Sequence, residues 1–320
     1  MYYHRRIKIL KRCLRVAVLL LSASPAGLWA QQDAQYTQYM YNTMVINPAY
    51  TGSRGVFSTT LLHRSQWVGL KGAPTTQTLN LHSPVSPKMG LGISIVNDEI
   101  GNGTMAETNF DISASYTVQV SNRAKLSFGL KMGGHILNVD FTKLAGYSNE
   151  PIELTNIDNK FSPNIGAGMY YQTNRFYLGI SAPSLLETKH YDSSDAASSY
   201  VSTERINYYL IVGNIFDLSH NLKIKPTALL KAVKGAPLQV DLSTNFMFNE
   251  KLILGMAYRW DASISTMVGF HISDSFMMGI TYDKEITALG DTAFNNGSFE
   301  VLLRYEFFNK TRRLITSKFF

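Results

Sequence analysis

The chain holds a single cysteine, Cys13, among 320 residues, so it has neither a disulfide framework nor a cysteine-ligated zinc cluster. Its histidines offer no substitute. His4 lies in a basic leader and the other six stand singly, none with the H-E-x-x-H spacing that sets two imidazoles on one helix face. His135 and His271 read as strand residues with a hydrogen-bond partner. There is no G-x-S-x-G elbow, since Gly179-Ile180-Ser181-Ala182-Pro183 stops one residue short of it. No glycine loop opens a helix to cradle phosphate, because no helical periodicity follows the first thirty residues. A site assembled from distant strands would leave no local motif. Within those terms the expectation is a non-enzyme with no catalytic, cofactor-binding or metal-binding residues.

Long apolar runs are also missing past residue 30. Mean hydropathy is −0.06 with 12% aromatic residues, as expected when apolar side chains are spread over alternating positions. The first thirty residues differ: Arg5, Arg6, Lys8, Lys11, Arg12 and Arg15 precede the apolar stretch from Val16 to Leu21, and small residues follow to Ala30. This pattern predicts a secretory signal peptide over residues 1–30. A spanning helix would need about 18 consecutive apolar residues. Setting aside those six basic residues lowers Lys plus Arg from 30 to 24 against an unchanged 23 acids, and the formal charge from +7 to +1. The pI of 9.3 therefore belongs to the leader, and no nucleic-acid partner is implied.

What the chain does have is alternation. Phe110, Ile112, Ala114, Tyr116, Val118 and Val120 interleave with Asp111, Ser113, Ser115, Thr117 and Gln119, and a period of two sends the two sets to opposite faces of a strand. About fourteen such segments run to residue 308, each about ten residues long. The predicted fold is therefore an all-β, transmembrane antiparallel barrel with apolar residues toward lipid and polar residues toward the lumen. Val118 should face lipid and Gln119 the lumen.

The connections are sorted by length. Short ones at Pro84–Pro87, Ser121–Arg123, Asn174, Asp217–His220, Asn249–Glu250 and Ser273–Asp274 alternate with a set that includes long ones near 139–161, 184–203 and 287–296. Short periplasmic turns and longer extracellular loops are the asymmetry of an outer-membrane barrel, and a soluble sandwich has no reason for it. Tyr170, Tyr171, Phe176, Tyr177, Trp260 and Phe307 near strand ends suit an interfacial aromatic girdle. Asn102-Gly103 and Asn296-Gly297 read as turns.

The inward face carries charge. Lys223, Lys225 and Lys231 share one face of a strand, Asp241 lies on the next, and Arg259, Glu300 and Arg304 occur on later ones. Basic and acidic rows on adjacent strands are expected to pair across the lumen, because a Lys or Arg facing midplane lipid costs about 2–4 kcal/mol. Pro226, inside a strand that a closed barrel makes internal, predicts a bulge.

One stretch is too specific for a polar leader: Gln32 to Asn42, reading QDAQYTQYMYN, followed by Ile46-Asn47-Pro48-Ala49-Tyr50-Thr51-Gly52. Together with Phe176-Tyr177-Leu178-Gly179-Ile180-Ser181, Leu222-Lys223-Ile224-Lys225-Pro226 through Lys231, Gly235 to Leu242, Gly255-Met256-Ala257-Tyr258-Arg259 and Tyr282-Asp283, it resembles the PorP/SprF family of type IX secretion outer-membrane proteins of Bacteroidetes. These landmarks cover nearly the whole chain past the leader. Gly297-Ser298-Phe299-Glu300 departs from the family's Gly-Ser-His-Glu, so no role of that histidine carries over.

The resemblance implies an outer-membrane component that assists export or surface attachment of cargo with a C-terminal sorting domain, often adhesins. It implies periplasmic type IX secretion or peptidoglycan-associated partners, outer-membrane lipid around the barrel and no cofactor. A passive porin or small-solute channel is the alternative. The expected organisation is a signal peptide at 1–30, a periplasmic N-terminal segment at 31–54, the barrel at 55–308 and a basic tail at 309–320, with Phe308 or Phe320 as the aromatic assembly signal. Gln35 to Tyr50 is expected to tuck into the barrel mouth or dock a periplasmic partner, through Tyr36, Gln38, Tyr39, Asn47, Pro48 and Tyr50.

Overall fold

The computed structural model describes residues 34–143, 156–186, 205–288, 290, 292, 294–308 and 319. The expected signal peptide and Phe320 lie outside these residues. Fifteen strand segments follow one another: β1 (Phe57–Ser65), β2 (Thr75–Pro84), β3 (Met89–Ile100), β4 (Met105–Ser121), β5 (Ala124–Val139), β6 (Ile157–Thr173), β7 (Phe176–Ala182), β8 (Asn207–Asn214), β9 (Phe216–Ser219), β10 (Leu222–Val233), β11 (Gln239–Phe248), β12 (Leu252–Arg259), β13 (Ser263–His271), β14 (Phe276–Glu285) and β15 (Ser298–Phe307). β8 and β9 both pair with β10 and are successive pieces of one strand, so fourteen strands circle the barrel. Every neighbour is antiparallel, and β15 closes on β1 from Phe57↔Phe307 to Ser65↔Phe299. Closure leaves no open sheet edge, as a hydrocarbon environment requires.

The alternation sorts as expected. On β4 the side chains of Asp111, Ser113 and Ser115 are buried while Phe110, Ile112, Tyr116 and Val118 are exposed. This inverts a soluble protein, where polar residues are the exposed ones, and it is the arrangement of a wall with lipid outside. Gln119, near the end of β4, is exposed and its Nε2 donates to the Ser121 carbonyl.

Six connections, 85–88, 122–123, 174–175, 220–221, 249–251 and 272–275, lie at one end of the barrel. The longest, 140–156, 183–206 and 286–297, leave from the other end, which fixes the short-turn end as periplasmic. Asn102 and its flanking glycines Gly101 and Gly103 take positive φ in the β3–β4 turn. Asn296-Gly297 forms no tight hairpin. It ends a long connection, where Asn296 and Gly297 exchange backbone hydrogen bonds with Val68.

Pro226 departs from the expected bulge. Its own strand runs in unbroken register against β11, with Pro226 opposite Thr244. The irregularity falls on the other neighbour: Ile224 pairs with Phe216 and Thr227 with Gly213, and Ile215 between them donates instead to the Arg175 carbonyl. A proline has no N–H to give to a ladder, so the strand facing that gap breaks in its place.

Residues 34–56 are not a periplasmic segment, as expected from sequence, but fill the barrel interior. They form a one-turn helix, Thr43–Ile46, and a 3-10 turn, Pro48–Tyr50, before the chain enters β1. Tyr36, Tyr39, Met40, Tyr41, Met44, Ile46, Ala49 and Tyr50 are all buried. They form one apolar core with inward-facing wall residues such as Leu62, Ile211, Met247, Ile253 and Leu302.

Candidate functional site: the occupied lumen

The wall and the N-terminal segment are joined by three polar clusters, two toward the long-loop end of the barrel and one toward the short-turn end. In the first, Arg259 near the end of β12 donates from Nε to Asp241 Oδ1 at 2.7 Å, from Nη1 to Gln35 Oε1 at 2.8 Å and from Nη2 to the Tyr36 carbonyl at 3.3 Å. Tyr39 directs its hydroxyl at the Asp241 carbonyl and Ser243 Oγ, both at 3.4 Å. One guanidinium thereby fixes two consecutive residues of the segment against two strands.

The second cluster centres on Arg64, on the inward face of β1. Its Nη1 lies 2.6 Å from Asp283 Oδ2 and 3.2 Å from Glu300 Oε2. Glu300 also accepts from the backbone amides of Thr37 and Gln38, at 2.9 and 2.8 Å, and the Thr37 hydroxyl donates to Asp283 at 2.8 Å. A carboxylate gripping two successive amides fixes backbone and not side chain, so it sets the register of the segment in the lumen.

Below this, Asn42 donates to Thr78 Oγ1 and accepts from Asn80 Nδ2. Asn47 caps the 3-10 turn by accepting from Ala49 N at 2.9 Å, and its amide donates to the Met169 carbonyl at 3.0 Å. Pro48 follows at the first turn position, where its missing N–H is harmless. Tyr50 packs edge-on against His82 and Tyr170, at centroid distances of 5.7 and 5.4 Å. Two glycines admit the segment here. A Cβ on Gly129 would stand 2.1 Å from Ala49 N, and one on Gly90 2.4 Å from the Thr51 carbonyl oxygen.

The third cluster closes the short-turn end. Arg54 grips Glu306 with Nε at 2.5 Å and Nη2 at 3.0 Å, both side chains buried, and Arg304 Nε lies 3.9 Å from the same carboxylate. Burial raises the Tyr39 and Tyr41 hydroxyls above the ordinary tyrosine range, so both stay neutral. A cavity between Thr37, Met40, Ser243 and Asn245 measures about 10 Å³, room for a single water.

The structure thus brings Tyr36, Gln38, Tyr39, Asn47, Pro48 and Tyr50 into the lumen beside Lys225, Lys231, Asp241, Arg259, Glu300 and Arg304. It does not pair the lysine row of β10 with the acidic row of β11. Lys231 stands opposite Gln239 and Lys225 opposite Asn245, while Asp241 takes Arg259 across the next ladder, because their registers coincide. Lys223 sits at the periplasmic mouth and pairs with the turn residue Glu250 at 2.7 Å. Arg54 and Arg64 are missing from the sequence reading. Arg64 carried a signal, since it shares the inward phase of β1 with Ser58, Thr60 and Leu62.

Gly129→Val tests the fit. Its branched side chain needs space held by the Ala49 backbone, and overpacking of this kind costs about 1–3 kcal/mol. The expected outcome is a folded barrel whose residues 34–56 become open to protease, read by mass spectrometry of the released peptides. Unchanged protection would mean that the segment does not lie against β5.

The family model for "Type IX secretion system membrane protein PorP/SprF" matches residues 28–305. Among solved structures, the barrel is similar to the Pseudomonas putida toluene transporter TodX, at 9% identity over 83% of this chain and 93% of that one, with a TM-score of 0.49. It is also similar to the Ralstonia pickettii toluene transporter TbuX, at 11% identity over 92% and 97% of the two chains, TM-score 0.47. The Acinetobacter baumannii outer membrane protein Omp33 matches at 9% identity over 80% and 100%, TM-score 0.46. No curated protein matches the chain.

Proposed function

This chain belongs to the PorP/SprF family of type IX secretion system membrane proteins, and we propose that it acts there as a plugged, non-enzymatic outer-membrane accessory that assists export or surface attachment of cargo bearing a C-terminal sorting domain. The observation that carries this reading is the filled lumen. A passive porin needs a continuous water path, whereas three ion-paired clusters and eight buried apolar residues of the N-terminal segment occupy this one. A filled barrel works through its ends. The long connections at the extracellular end are the surfaces for cargo, and the short turns at the other end are those for periplasmic secretion or peptidoglycan-associated partners.

Two measurements test the reading. Deleting the gene should abolish surface display of its cargo while other outer-membrane proteins assemble normally; unchanged secretion of every sorting-domain protein would sink the accessory role. In planar bilayers the purified barrel should conduct far less than a porin of fourteen strands, and steady porin-like conductance would favour the channel.

A further inference from the structure

Lys225 of β10 is fully buried, and what surrounds it comes from both ends of the chain. Its ammonium lies 4.1 Å from the ring centroid of Tyr41, in the N-terminal segment, and 4.8 Å from that of Phe319. It also donates to the Phe319 backbone carbonyl. Arg304 faces the same Tyr41 ring, its Cζ 5.6 Å from the centroid. Phe319 is itself fully buried within the apolar cluster formed by the N-terminal segment. No carboxylate among the described residues lies within ion-pair distance of Lys225.

An ammonium shut off from water must regain in the protein the interactions it loses. Here two ring faces and a peptide carbonyl supply them, and one of those rings and the carbonyl belong to Phe319. The position of Lys225 is therefore secured only when Phe319 is seated. Linkage is reciprocal: whatever Phe319 contributes to the order of Lys225 and Tyr41, that ordered pair returns to the seating of Phe319.

We propose that Lys225 and Tyr41 form a binding site for an aromatic peptide residue, filled in this chain by Phe319, and that filling it pins the N-terminal segment inside the lumen. The site is built half from wall and half from plug. Seating of Phe319 and retention of residues 34–56 are thus one equilibrium, and an aromatic peptide competing for the site would loosen the plug from the periplasmic side. Neither the cargo role nor the periplasmic partners are needed for this inference.

The test uses the full-length protein in detergent. A benzoylphenylalanine photocrosslinker at position 319 should attach to β10 or to residues 34–56, as read by mass spectrometry; attachment confined to other places would overturn the proposal. Phe319→Ala and Lys225→Met should each speed protease cleavage within residues 34–56 by about ten-fold or more, while heat-modifiable migration on gels shows an intact barrel. Their double variant should add little to either, since both remove the same contact. Phe319→Tyr should keep most of the protection. A synthetic peptide of residues 309–320 added to the Phe319→Ala protein should restore protection, and the same peptide with Ala at 319 should not. Unchanged cleavage in a folded Phe319→Ala protein would also overturn the proposal. If that variant does not fold, the crosslink in the otherwise native chain decides the matter.

Discussion

Glu306→Gln is expected to free the base of the N-terminal segment from the wall, at a loss of about 3–5 kcal/mol in the docking of residues 34–56. Glu306 takes two hydrogen bonds from Arg54 and faces Arg304 as well, so the substitution removes a carboxylate from between two guanidinium groups in space closed to water. Removing one member of a buried pair costs far more than the pair contributes, because the remaining charge stays desolvated. Protease should then enter residues 34–56, and the barrel should lose its folded gel mobility at lower temperature. Arg54→Met combined with Glu306→Leu should recover much of the loss, since the desolvation penalty leaves with the charges. Equal damage in the single and double variants would show that the contact acts through shape and not through charge.

That contact also marks where the sequence stops being readable. The walls are legible because each strand repeats one rule: Phe110, Ile112 and Tyr116 must meet lipid while Asp111, Ser113 and Ser115 must not, and period two makes the rule visible. The connections follow closely, and the main discrepancy is that the one expected near 139–161 ends sooner, with β6 starting at Ile157, where the strand extends toward a loop with no lipid to impose alternation. The plug obeys no period. Arg54 meets Glu306 across 252 positions, and nothing local to either residue announces the other.

Some of the missing information is present in the sequence in a subtler form. Glycine in a strand interior marks a close backbone approach, and Gly90 and Gly129 lie on inward faces where Thr51 and Ala49 come within contact. Counting such inward glycines would have pointed to an object inside the barrel before its identity was known. Pro226 is the opposite case. The disturbance it predicts is real, but a backbone without an N–H can leave its own strand straight while its neighbour breaks at Ile215, whose amide turns to Arg175 in the turn before β7.

The lipid face gives a graded prediction with a depth scale built in. Leu130→Arg should reduce assembly strongly, by about 2–4 kcal/mol, Val118→Arg weakly, by about 0–1 kcal/mol, and Gln119→Arg hardly at all. Leu130 points outward at 68% exposure and lies six residues along β5 from its periplasmic end at Ala124. At about 3.4 Å per residue and a tilt near 40°, that is roughly 15 Å of depth, close to the middle of the hydrocarbon. Val118 pairs with Leu126, only two residues from the same end, so an arginine there can reach the headgroups along its own stem. Gln119 is at the mouth, where its side chain already meets water and the Ser121 carbonyl. The measurement is unfolding free energy in urea for barrels assembled into lipid bilayers. If Val118→Arg proved as damaging as Leu130→Arg, the membrane would have to sit lower on the barrel, with the short turns near Ser121 below the headgroups; if neither mattered, that face of β4 and β5 would be covered by protein and not by lipid.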